Sequence, residues 1–254
     1  MKVFIISMRK ILLSMVLFVV CSTVLVCSCY VIKETMAQIP EKKLPIYCVD
    51  TEEKKIAISF DAAWGDTHTK NILDILDKYD VKTTFFLVGF WVDKHPDLVK
   101  EISNRGHEIG NHSTTHPKMS MLSKEQIKEE LETTSDKIEK IINKRPVVFR
   151  PPFGDYNDTL INTASSLNYH TIQWDVDSLD WKEIGVEHVV DRVIKNTKNG
   201  SIVLFHNNAK YVSEYLPLIL EKLKSQGYEI VPISELIYKE NYSMDSTGKQ
   251  RKND

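Results

Sequence analysis

Hydrophobic positions follow two rhythms along this chain. From Ile11 to Ile32 the sequence reads ILLSMVLFVVCSTVLVCSCYVI, an unbroken run of apolar and small residues without a charge. Beyond it, short runs rich in β-branched and aromatic residues alternate with longer amphipathic stretches. The short runs predict buried strands at 55–60 (KIAISF), 83–88 (TTFFLV), 147–150 (VVFR), 170–174 (HTIQW), 201–205 (SIVLF) and 228–231 (YEIV), with a weaker seventh at 107–111 (HEIGN). Between them, Leu, Ile and Val recur at helical spacing over 69–79, 96–104, 123–142, 158–167, 187–196 and 213–225. Ser123 followed by Gln126 fits a capping box at the start of the longest helix.

Alternating βα units imply a parallel sheet with crossover helices. Seven such units in about 185 residues suit an incomplete (β/α) barrel, because a complete eight-stranded one typically needs ~250. The chain divides into an N-terminal membrane segment (1–32), a polar linker with Pro40 and Pro45 (33–53), one α/β domain (54–239) and a frayed polar tail (240–254). The apolar run is long enough to span ~30 Å of hydrocarbon. It reads first as an uncleaved signal-anchor. A cleaved signal ending near Thr35-Met36-Ala37 and a lipid anchor in the imperfect Val26-Cys27-Ser28-Cys29 pattern are the alternatives. Lys2, Arg9 and Lys10 precede it against a lone Lys33 after it, which places the N-terminus in the cytoplasm and the domain outside.

Composition narrows the classes. With 42% apolar and 27% charged residues, the chain is neither disordered nor fibrous, and four cysteines make no disulfide scaffold. Cys21, Cys27 and Cys29 lie in the membrane segment, so Cys48 has no partner for an internal bridge. Three of the 33 Lys and Arg residues precede the apolar run and none of the 35 Asp and Glu does, leaving 30 positive against 35 negative charges in the remainder. That acidic balance gives no nucleic-acid footprint. No protein partner is indicated either.

Parallel βα folds carry their chemistry at the C-terminal ends of the strands. The unusual polar residues gather there: Asp61 after the first strand, His112 and His116 after the third, Arg150 at the end of the fourth, Asp175 to Trp181 after the fifth, and His206 at the end of the sixth. Singly, each has an ordinary explanation as a cap, an ion pair or a core histidine. Together on one rim they favour a metal-assisted hydrolytic site. Two neutral imidazoles suit zinc, cobalt or iron. Asp61 can take a proton from water, with Arg150 keeping it ionised. His206 can protonate a leaving atom, with Asp180 orienting it. Trp64 and Trp181 can pack against a sugar or an acetyl methyl.

These residues resemble the polysaccharide deacetylase family, the NodB-homology or carbohydrate esterase family 4 group. The resemblance runs over 54–237 through five motifs in order: Ser59-Phe60-Asp61, His112-Ser113-Thr114-Thr115-His116, Arg150-Pro151-Pro152-Phe153-Gly154, Asp177-Ser178-Leu179-Asp180-Trp181 and Leu204-Phe205-His206. It implies a distorted (β/α) barrel of fewer than eight units and metal-dependent removal of acetyl groups from a polysaccharide. By position it implies Asp61 as base, Arg150 as its partner, His112 and His116 as metal ligands, His206 as acid and Asp180 as the residue tuning it. Trp64, Pro151, Phe153, Trp181 and Leu204 are the expected substrate-binding positions. The metal is expected to be zinc first, with cobalt, iron or manganese as alternatives.

One position departs from the pattern. The family's first motif usually has a second aspartate as third metal ligand, and here that residue is Ala62. Asp66 or extra waters are the available substitutes, so metal should be weakly held. Asp61-Ala62-Ala63-Trp64-Gly65-Asp66 with the membrane segment resembles the sporulation-type branch, which implies peptidoglycan of the spore cortex or cell wall as substrate. Two other outcomes stay open: a non-enzymatic glycan-binding or morphogenetic protein, and an esterase for O-acetylated polysaccharide.

Overall fold

The computed structural model describes residues 8–37 and 43–253. They form two units divided at Lys43. The first is helix α1 (Met8–Ala37), 30 residues long. Within it, Ile11–Ser28 has a mean hydropathy of 2.6 and is long and apolar enough to cross a membrane, a property that N-terminal signal sequences share. Ser22 and Thr23 both return their hydroxyls to the Val19 carbonyl, so these polar groups are satisfied by the helix itself.

The second unit begins with β1 (Cys48–Val49), β2 (Lys55–Ala62), α2 (Thr69–Lys78), β3 (Thr84–Leu87), α3 (Gly89–Lys94), α4 (Pro96–Asn104), β4 (Glu108–Asn111) and α5 (Lys124–Ile142). It continues through β5 (Val148–Phe149), α6 (Asp158–Ser166), β6 (His170–Thr171), β7 (Val176–Asp177), α7 (Val186–Asn196) and β8 (Ile202–His206). It ends with α8 (Val212–Ser225), β9 (Glu229–Val231), α9 (Ile233–Leu236), β10 (Tyr242–Met244) and β11 (Lys249–Lys252). The main sheet runs β6-β5-β4-β3-β2-β8-β7, with β9 beside the start of β2. Its pairs are all parallel, and β6 and β7 stand at its two ends, so this is the open half-barrel expected from the βα rhythm.

All six predicted helices form. The capping box on α5 is present, with the Ser123 hydroxyl accepting from Gln126 N–H at 3.3 Å and Gln126 Oε1 accepting from Ser123 N–H at 2.9 Å. β2 is a central strand buried on both faces. Ile56, Ile58, Phe60 and Ala62 alternate on one face, where the Phe60 ring lies 5.0 Å from Phe85 and 5.7 Å from Phe205. Such ring pairs are worth about 0.5–1.5 kcal/mol each beyond their buried area. The opposite face carries Ala57, Ser59 and Asp61. β5 ends sooner than expected because Pro151 and Pro152 follow Arg150 and neither has an N–H to continue the ladder.

Two expectations about the flanks are corrected. Residues 33–53 are not wholly a linker: 33–37 continue α1, 38–42 lie outside the described residues, and from Ile46 the chain packs into the domain. Ile46, Cys48 and Val49 are buried apolar positions whose signal was masked by the polar and proline residues around them. The backbone of Ile46 bonds Thr171 and Gln173 beside β6, and Val49 N–H donates to the Gly200 carbonyl just ahead of β8. Cys48 is buried and free.

Residues 240–254 are likewise not frayed, as far as 253 describes them. β11 pairs in parallel with β1 and antiparallel with β10. Composition missed this sheet because its strands are joined by backbone hydrogen bonds, which need no apolar side chains. Gln250, wholly buried, adds a side-chain clamp by accepting from Tyr238 N–H and donating to the Tyr238 carbonyl.

Candidate active site

The register of the central strands sets the site. Asp61 near the end of β2 stands beside His206 of β8 on one side and Phe86 of β3 on the other. Arg150, which is 0% exposed, donates from Nη1 to Asp61 Oδ1 at 2.8 Å and from Nη2 to the Gln173 carbonyl at 3.1 Å. Its guanidinium lies 4.2 Å from the Phe86 ring centre and 5.5 Å from that of Trp174. Burial pushes the Asp61 carboxyl up, but the charges of Arg150, His112 and His206 and the Arg150 hydrogen bond outweigh it and hold the group below its ordinary value. Asp61 is therefore ionised at neutral pH.

His112 follows β4 and has one defined tautomer. Its Nδ1 lies 2.7 Å from the Arg150 carbonyl, which can only accept, so Nδ1 carries the proton and Nε2 keeps its lone pair. That Nε2 is 3.6 Å from Asp61 Oδ2. The two histidines share a loop with Ser113 and His116 both at positive φ, 66° and 58°. Asn111 holds the loop by accepting from Ser113 N–H at 2.8 Å while donating to the Leu131 carbonyl at 2.7 Å. Glu130 on α5 accepts from the Thr114 and Thr115 N–H groups at 2.7 and 2.8 Å. Glu130 and Thr134 of α5 thus brace the histidine loop. The sequence signal for it was a Glu and a Thr at helical spacing, Glu130 and Thr134, which reads equally as solvated surface.

His116 lies against His112, Trp64 and Phe153, with ring centres 5.0, 4.8 and 4.6 Å away. Burial first, and the neighbouring His112 second, pull it down to about 4, and burial also lowers His112. Both imidazoles are therefore neutral donors at physiological pH. The His116 Nδ1 is buried without a hydrogen-bond partner among the described residues.

These features fit a divalent metal on two imidazoles: one ring is oriented by a carbonyl from behind, and the other has an unspent buried nitrogen. A protein carboxylate does not complete the set. Among the described residues, no three His, Cys, Asp or Glu side chains converge as a metal-holding group. Ala62 packs in the apolar core, and Asp66, the expected substitute, lies 3.4 Å from His95 Nδ1 and does not line the groove.

On the other side, His206 Nδ1 lies 2.7 Å from Asp180 Oδ1, and its backbone N–H donates to Asp180 Oδ2 at 2.8 Å. Burial lowers the His206 pKa, but the hydrogen bond and charge of Asp180, with Asp61 and Asp177 behind it, outweigh burial and raise it. With Nδ1 held by Asp180, Nε2 is the ring nitrogen left for a ligand.

The groove over these residues has a volume of about 600 Å³. Trp64, Phe153 and Trp181 line it as exposed aromatics, and Leu204 contributes to its floor. Pro151, expected to contact substrate, is buried and does not line it. Asp177 of the fourth motif lines it as well, on β7, as do Trp174, Glu183, Asn207 and Lys210, which were not among the expected site residues.

Comparison with known proteins agrees with this geometry. The sequence profile of the polysaccharide deacetylase family matches residues 49–172. A peptidoglycan-N-acetylglucosamine deacetylase of Bacillus cereus is 41% identical over 194 residues, covering 74% of this chain and 91% of that protein. The crystal structure of PdaA from Bacillus subtilis, a family 4 carbohydrate esterase, superposes with a TM-score of 0.72 at 34% identity, covering 76% of this chain and 84% of that one. A family 4 pseudoenzyme from Bacillus anthracis superposes with a TM-score of 0.74 at 37% identity, covering 77% and 69%. A mutant of that pseudoenzyme, described as having restored enzymatic activity, matches at 38% identity with the same TM-score.

Proposed function

We propose that this chain, which belongs to the polysaccharide deacetylase family, hydrolyses N-acetyl groups from a peptidoglycan-type glycan. The observation that carries the reading is the pairing of an ionised carboxylate held by a buried guanidinium with a carboxylate-oriented imidazole at the adjacent register position. One half suits proton removal and the other proton delivery.

His112 and His116 are the residues that would hold a divalent metal, with zinc the leading choice and cobalt, iron or manganese the alternatives. When bound, such a metal polarises the acetyl carbonyl and acidifies a water. Asp61 accepts a proton from a water in the groove as the water oxygen attacks the acetyl carbon, and Arg150 keeps the carboxylate ionised and fixed. His206, protonated, donates to the amide nitrogen as the C–N bond breaks. Acetate and a free amino sugar leave, and the proton taken by Asp61 balances the one given by His206. Trp64, Phe153 and Trp181 form aromatic walls for the sugar and the acetyl methyl.

The test is acetate release from N-acetylglucosamine oligomers and purified peptidoglycan by the full chain in detergent with added zinc. Turnover should vanish in an Asp61→Asn, His206→Ala double variant, and equal rates for the two proteins would end the reading. O-acetylated polysaccharide belongs in the same substrate panel, because this acid–base pair serves an ester as well. A second reading, a non-catalytic glycan-binding protein, is favoured by Ala62 and by the likeness to a pseudoenzyme. It predicts saccharide binding that chelator leaves unchanged and no acetate.

The reading places α1 as a membrane anchor with the domain outside the cytoplasm, where peptidoglycan of the cell wall or spore cortex is the abundant N-acetylated polymer. The basic residues ahead of the apolar run support that orientation.

A further inference from the structure

Tyr215 reaches Asp180, which lines the groove, from the core behind it. It lies on α8, is 1% exposed, and donates its hydroxyl to Asp180 Oδ2 at 2.8 Å. That oxygen also accepts the His206 N–H, while Oδ1 takes His206 Nδ1. The phenol ring is stacked on Phe205 at 5.5 Å with 16° between planes. A tyrosine needed only for packing would gain nothing from its hydroxyl, because a buried polar group is a net cost unless it is bonded. Here the hydroxyl is bonded to the one carboxylate that orients the histidine.

We infer that Tyr215 is a positioning residue for His206, acting through Asp180. The phenol fixes the rotation of the carboxylate so that Oδ1 meets the imidazole, and it draws charge off that carboxylate. The imidazolium is then held less tightly and releases its proton more readily. The charged and titratable groups facing His206 are Asp180 and Asp177 from the segment after β6, Asp61 from β2, His112 and His116 from the loop after β4, and Tyr215 from α8. The catalytic consequence rests on the deacetylase reading, but the effect on His206 titration does not.

The experiment uses the full chain in detergent, labelled with carbon-13 at histidine Cε1, and compares wild type with Tyr215→Phe and Asp180→Asn by NMR titration. Losing the phenol hydroxyl should move the His206 titration to higher pH, whereas Asp180→Asn should move it to lower pH. On N-acetylglucosamine oligomers, Tyr215→Phe should lower kcat roughly 10-fold with KM little changed. An unmoved titration in a folded Tyr215→Phe overturns the inference, whatever the activity. If the titration moves but wild type releases no acetate, the deacetylase reading fails and the positioning role stands. Should Tyr215→Phe not fold, 3-fluorotyrosine labelling of the wild-type protein makes the phenol a stronger donor and should move His206 to lower pH. No movement there overturns the inference equally.

Discussion

Arg150 and Asp61 form a buried ion pair, with Nη1 2.8 Å from Oδ1, in which the guanidinium is fully enclosed and the carboxylate opens only onto the groove. Breaking such a pair from one side strands the other charge, at a typical cost of about 3–5 kcal/mol. Arg150→Met should therefore lower thermal stability markedly, while the Asp61→Asn, Arg150→Met double variant should recover part of the loss. Calorimetric melts of the three proteins against wild type check this, and additive losses would contradict it.

Asp180→Asn should cost roughly 10²–10⁴ in kcat by removing the acceptor that fixes the His206 tautomer. The sign of the pH effect follows from the raised pKa of His206, to which Asp180 contributes the main upward interaction. Without Asp180, His206 loses its proton at lower pH, so the alkaline limb of the pH–rate profile should move down. A profile that keeps its alkaline limb would assign that limb to another group.

His107 makes acid stability a separate question from the groove. It sits in the core, accepts from Thr83 N–H at 3.2 Å, and is pulled down to about 4 by burial, with Lys82 adding to it. Its folded pKa lies below the ordinary value of 6.5, so the unfolded chain binds the proton first. The stability tied to neutral His107 is complete above pH 6.5 and is lost as pH falls toward 4, on the order of 3 kcal/mol. His107→Asn keeps an acceptor near the Nδ1 position without titrating. Urea melts from pH 7 to pH 4 should show a shallower decline in the variant.

Much of this was legible in the sequence where periodicity and chemistry coincide. The six longer helices announced themselves by their apolar spacing, and Asp61, His112, His116, Arg150, Asp180 and His206 by falling at strand ends. The rest depended on relations that no local pattern carries. Asp66 had the right chemistry for a third ligand, yet its loop turns it toward His95. Tyr215 falls on the buried face of an amphipathic helix, where nothing local marks its hydroxyl. The sheet of β1, β10 and β11 joins segments from opposite ends of the domain through backbone bonds, which leave no trace in composition.

Gly200 tests that sheet directly. Its φ is +76°, and a Cβ there would meet the Val49 carbonyl oxygen at 1.8 Å, a backbone atom with no freedom to rotate away. Gly200→Ala should push Cys48 and Val49 off the segment ahead of β8 and cost about 2 kcal/mol or more. Faster proteolytic cleavage between residues 43 and 53 in the variant is the expected sign, and wild-type resistance would show that the domain holds without this contact.

The Ala62 position decides how the site relates to metal. Ala62 is wholly buried beside Phe60, so a carboxylate introduced there has no water and no cation of its own. A buried unpaired charge is strongly unfavourable. Ala62→Asp should therefore be destabilised relative to wild type in chelator. If the new carboxylate reaches a metal shared with His112 and His116, added zinc should restore that loss and raise the melting temperature well beyond its effect on wild type, as mass action requires for a tighter ligand. The isotherm should tighten in parallel, because three protein ligands replace two. An Ala62→Asp protein that zinc stabilises no more than wild type would show that position 62 faces the core alone.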